Sequence, residues 1–111
     1  MRKYIWHKAE DRLEEVTDIM KWAEFMETSM DNRRVAMDEV GVYVVYTSFL
    51  GIDHNFGATG DDPPLVFETM ATKSGEWQDW QRRFFCSKDA LAFHQSVVEM
   101  IRQGRLPEDE L

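Results

Sequence analysis

The sequence predicts an α+β domain made of a long N-terminal helix, a three- to four-stranded antiparallel sheet and a C-terminal helix packed on the sheet. Three observations predict it. Apolar residues recur at spacings of three, four and seven between residues 8 and 31. The pattern then changes to runs of alternating or continuous apolar residues, separated by turn residues, between residues 33 and 85. Helical spacing returns after Ser87. A helical period of 3.6 and a strand period of 2 cannot be satisfied by the same segment, so the changes mark the elements.

The first helix is expected over residues 8–31, with Leu13, Val16, Met20, Ala23 and Met30 as its stripe and Ile19 and Met26 widening it. Glu10, Asp11, Glu14, Glu15 and Asp18 crowd its first half, where a helix dipole favours anions. Asn32 ends it, with Arg33 and Arg34 near its negative end. The segment RRVAMDEV alternates weakly, and Asp38, Glu39 and Gly41 suggest a turn. VYVVYTSFL is apolar on both faces, which suits a strand covered on both sides, or covered on one side and packed on a partner with the other. LVFETMA puts Leu65, Phe67, Thr69 and Ala71 on one side and Val66, Glu68 and Met70 on the other. Lys73-Ser74-Gly75-Glu76 reads as a turn, and WQDWQRRFF as a further strand. Ser87 is placed as the N-cap of the last helix and Gly104 as its terminator, with Ala90, Leu91, Val97, Val98 and Ile101 on one face. Residues 1–104 form one domain on this reading, and 105–111 a flexible acidic tail.

The 111 residues are 43% hydrophobic and 13% aromatic, enough for one sizeable core. Asp and Glu number 21 against 13 Lys and Arg, for a net charge of −8. Such a surface repels phosphate backbones, so direct nucleic-acid binding is not expected, while a basic protein partner or a cation is favoured. The aromatic and basic strand with Trp77, Trp80, Arg82, Arg83, Phe84 and Phe85 does not outweigh that balance, and its arginines are expected to pair with neighbouring acids. The single cysteine, Cys86, excludes an internal disulfide. No apolar run approaches the ~20 residues a membrane helix needs, and the N-terminus lacks the apolar core of a signal peptide. A cytoplasmic location without membrane attachment is therefore expected.

The stretch TSFLGIDHNFG, then PPLVFETM, then a strand ending FF and a helix carrying ALAFHQSVVEMI resembles a family of small phage and bacterial proteins. Their shared pattern is G-[IL]-D-H-x-[FY]-G followed by P-L-[LV]-F-E-T-M and a late helix with a histidine. The resemblance covers residues 33–100; the ATK after Met70 departs from the aromatic the pattern has there. It implies a phage-type origin and a compact unit around Asp53, His54, Glu68 and His94, and it supplies no reaction.

His94 lies in the middle of the apolar face of the last helix, so its ring points at the sheet and needs a hydrogen-bond partner. Glu68, inside an apolar strand, needs one for the same reason. Asp53 and His54 stand at the end of the central strand. The favoured reading of the four is a polar cluster that anchors the loop. The alternative is a divalent metal or acid–base site, since two imidazoles and two carboxylates suit zinc, manganese or iron. Against a metal stands the spacing: no H-x-x-x-H or H-E-x-x-H arranges the ligands in advance. Asp53, Asn55, Asp61 and Asp62 evoke a calcium loop, but Pro64 occupies the position of the closing glutamate. Cys86 as a nucleophile has no supporting motif, and no glycine-rich phosphate cradle is present.

Function is therefore expected to lie in binding rather than catalysis. The leading expectation is a phage-type interaction protein that acts on a host or defence protein, with self-association into a homodimer through the first helix as a variant. Trp6, Trp22 and Phe25 are the candidate interface anchors. The alternatives are a small metal-dependent, hydrolase-like enzyme using His54 and His94, and a small-molecule binder with the 53–64 loop as its lid.

Overall fold

In the computed structural model, which describes residues 1–28, 30–55 and 62–105 and all their side chains except those of 79 and 80, the N-terminal third is a hairpin followed by a short helix. The long helix expected over residues 8–31 is not formed. β1 (Lys3–His7) pairs antiparallel with β2 (Arg12–Val16), with Trp6 opposite Leu13. A single 3-10 turn at Lys8–Glu10 and Asp11 in the left-handed conformation (φ 49°) reverse the chain between them. The physical reason is Tyr4, Ile5 and Trp6, which are all buried. They are strand formers, and a helix running through residue 16 would deny them a paired strand. The helix proper starts at Asp18, whose carboxylate accepts the backbone N–H groups of Met20 and Lys21 at 3.0 and 3.3 Å. It gives α1 (Ile19–Met26).

The larger sheet comprises β3 (Arg34–Val40), β4 (Tyr43–Phe49), β5 (Phe67–Lys73) and β6 (Glu76–Phe84), antiparallel and in that spatial order. Asp38 and Glu39 belong to β3 rather than to a turn, and the reversal falls on residues 41–42. Between β5 and β6 the two-residue turn Ser74-Gly75 has φ of 52° and 85°. Two positive φ values are what a tight hairpin with right-twisted strands requires. α2 (Ser87–Arg102) follows; Cys86 holds the N-cap position, and the Ser87 hydroxyl instead donates to Asp11 at 2.6 Å.

Both apolar cores lie on one face of the four-stranded sheet. Val45 and Ala71 pack beneath Val97 and Val98 of α2. Phe49 and Phe67 pack beneath the hairpin and α1: the Trp6 ring stands edge-on to Phe67 at 5.3 Å, and Phe25 edge-on to Phe49 at 5.9 Å. β1 is sewn to the end of β4, with Tyr4 N–H donating to Gly51 O and Asp53 N–H to Arg2 O. Gly51 (φ 82°) carries α1: an added Cβ would stand 2.6 Å from Met26 Sδ and 3.3 Å from Trp22 Nε1. Among the described residues no helix is long and apolar enough to cross a membrane.

Candidate functional site

Of the four residues expected to form one polar cluster, Glu68 and His94 lie on opposite sides of the sheet. Thr47 and Thr69 face each other across β4 and β5 on the side covered by α2, and Glu68 faces Ser48 on the other. Successive residues of a strand point to opposite faces. His94 therefore meets the threonines and never Glu68, which corrects the expected His94–Glu68 contact. The alternation of LVFETMA already puts Thr69 and Glu68 on opposite sides.

His94 is almost fully buried, at 1% exposure. Its Nδ1 lies 2.9 Å from Thr47 Oγ1, which is 2.6 Å from Thr69 Oγ1, and its Nε2 lies 2.7 Å from Asp38 Oδ2. The Asp38 carboxylate can only accept, so Nε2 carries the proton toward it. In the neutral ring Nδ1 accepts from the Thr47 hydroxyl, and Thr69 can donate to Thr47 in turn. An acid, an imidazole and a hydroxyl in series have the connectivity of a catalytic triad. The accessibility is inverted. The hydroxyl that would have to attack is completely buried between sheet and helix, while the acid is the solvent-facing end, with its side chain 48% exposed. No substrate reaches Thr47, so the chain of bonds locks α2 onto the sheet.

Asp53 is the second centre. Its buried carboxylate accepts the Arg2 guanidinium (Nη2 at 2.5 Å, Nε at 3.1 Å) and the backbone N–H groups of Asn55 and Leu65 at 2.8 and 3.0 Å. Burial pushes its pKa up; the Asn55 N–H, the Arg2 side chain and the Leu65 N–H outweigh that and hold it below the ordinary aspartate value. Asp53 thus ties the N-terminus to both ends of the 53–64 segment. Residues 56–61 of that segment, including Asp61 of the calcium reading, lie outside the described residues.

Glu68 is the third centre. It is buried and accepts from Arg83 Nε at 2.9 Å, its cross-strand partner. His54 shares this neighbourhood. Burial first, and the charge of Arg83 second, lower its pKa against the opposing pull of Glu68 and Asp53. Among the described residues no group of three or more His, Cys, Asp and Glu side chains is arranged to hold a metal ion. The open depressions beside the hairpin, about 540 and 550 Å³, are lined by none of Asp53, His54, Glu68 and His94.

Of the candidate interface anchors, Trp6 is in the core, and its Nε1 donates to Asp11 at 2.9 Å. Trp22 and Phe25 are half-buried, with Trp22 Nε1 donating to Gly51 O at 3.0 Å. Among the described residues the most exposed aromatic is Trp77, at 61%. Cross-strand register places it on the sheet face away from α2, opposite Thr72, together with Met37, Val44, Tyr46 and Met70. Asp38, Thr47, Thr69, Arg2 and Asp11 are the partners that sequence reasoning missed. Strand parity was the signal for Thr47 and Thr69, while Arg2 and Asp11 depend on long-range pairing that no local pattern announces. No protein-family profile, curated protein or solved structure matches this chain.

Proposed function

We propose that the protein is a non-enzymatic binding domain that docks a protein partner on the face of its four-stranded sheet away from α2. One observation carries this reading. β4 is apolar on both faces, yet among the described residues both core clusters lie on one face only. The other face presents Met37, Val44, Tyr46, Met70 and Trp77, of which Met37 and Trp77 are 45% and 61% exposed. Arg34 and Arg83 on the same face are already paired with Asp31 and Glu68, leaving an apolar centre with a polar rim. The net charge of −8 favours a basic partner. Under the phage-type resemblance that partner is a host or defence protein.

The metal-dependent and small-molecule readings have no comparable support, because Asp53, Glu68 and His94 are each committed to partners within the chain. The test is affinity capture with the wild type, Trp77→Ala and His54→Ala. Trp77→Ala is expected to change stability by no more than about 0.5 kcal/mol, as exposed substitutions do. A basic protein held by the wild type and by His54→Ala, and lost from Trp77→Ala, is the expected result. Equal retention by all three, or none by the wild type, sinks the reading.

A further inference from the structure

We infer that β6 is a self-association edge, along which two copies of this chain pair antiparallel about a two-fold axis. This goes beyond the partner-docking face and does not depend on it. In the order β3-β4-β5-β6, β6 is hydrogen-bonded to β5 and, among the described residues, to no strand on its other side. An unpaired edge is a template for another strand unless something covers it or its charges oppose pairing.

The charges of β6 favour a second copy in particular. Reading along EWQDWQRRF, the acids Glu76 and Asp79 come first and Arg82 and Arg83 last. Antiparallel pairing with Glu76 of each copy opposite Arg82 of the other makes that opposite-charge contact twice, as a two-fold interface requires, against a single meeting of the two Asp79 positions on the axis. Glu76 and Arg82 are exposed and on the same sheet face, since they sit opposite Lys73 and Thr69 of β5. Among the described residues neither belongs to an ion pair, and the Arg82 guanidinium lies 5.2 Å above the Phe93 ring. The register shift opposite Met70–Thr72 falls in the middle of the strand and leaves both charged ends regular.

The other edge, β3, lacks these properties. Its Arg34 is paired with Asp31 and its Asp38 with His94. Arg34 and Asp38 of β3 are thus engaged within the chain, whereas Glu76 and Arg82 of β6 belong to no ion pair among the described residues.

The experiment is sedimentation equilibrium on the wild type, Glu76→Arg, Arg82→Glu and an equimolar mixture of the two variants, with circular dichroism to confirm folding. The wild type should dimerise. Each reversal alone should weaken the dimer about tenfold, because like charges then face each other twice. The mixture should restore it, since in the mixed dimer a chain basic at both positions meets a chain acidic at both, and opposite charges face each other at both contacts. A general loss of fold cannot produce that rescue. A monomeric wild type overturns the inference and leaves the edge to a strand of another protein. A dimer that neither reversal weakens, or that the mixture fails to restore, overturns it as well.

Discussion

Buried polar groups whose bonds are satisfied stabilise this protein at single sites, and Asp53 is the clearest. Asp53→Asn keeps the shape but loses the charge that faces Arg2 and two backbone N–H groups. A loss of about 2–4 kcal/mol in urea unfolding is expected. The pH dependence has a definite sign. The folded carboxyl is held below the ordinary value of 3.8, so its contribution is complete above that pH and is lost as pH falls through the lowered value. Asp53→Asn should therefore show a shallower fall of stability with acid than the wild type below about pH 4. His94 makes a second case. Thr47→Val should cost about 1–2 kcal/mol by leaving Nδ1 unpaired, and Thr47→Val with Thr69→Val should cost less than the sum of the two single changes. Strict additivity in that cycle would show that the three side chains do not act as a unit.

At the scale of elements, the seat of α1 on Gly51 is the critical contact. Gly51→Ala meets a positive φ and obliges the flexible Met26 thioether 2.6 Å away to move, so a loss of about 1–2 kcal/mol is expected. Because Trp22 also bonds to the Gly51 carbonyl, the loss should be concentrated in α1. Hydrogen exchange should then show faster exchange over Ile19–Met26 than over Tyr43–Phe49; a uniform increase would refute this local reading. Element type was readable wherever one period governed a segment. Tyr43–Phe49 and Ser87–Arg102 form the strand and helix that their alternation and helical spacing suggest. The reading failed where two periods overlap. Leu13, Val16, Met20 and Ala23 sit three or four apart, yet the first two belong to β2 and the last two to α1. Asp18 was legible as an acid, though its role as a cap depended on the helix starting there rather than at residue 8.

On the scale of the whole molecule, coverage of the large sheet is unequal, and function is expected on what is left open. α2 and the hairpin with α1 take one face, and among the described residues the two edges and the opposite face remain. Substitutions on the open face should separate binding from stability, whereas those beneath α2 should reduce both. Val97→Ala, in a fully buried position, is expected to cost about 2–3 kcal/mol in urea unfolding and to weaken capture only in proportion to unfolding. A change in capture without a change in stability would place partner contacts on α2 instead.

By itself the sequence determined what each segment could bury. Its alternation set which residues share a sheet face, its turn residues located Ser74-Gly75, and its helical spacing aimed His94 at the sheet. These properties follow from neighbours within a few residues, where backbone geometry dictates side-chain direction. Only the tertiary structure decided which buried groups meet. Arg2 reaches Asp53, Asp11 reaches Ser87, and Asp38 reaches His94 because β1 pairs with β2 and is bonded to the end of β4, and because α2 crosses β3. Such contacts span tens of residues and carry no local period, so they exist only once the strands have paired.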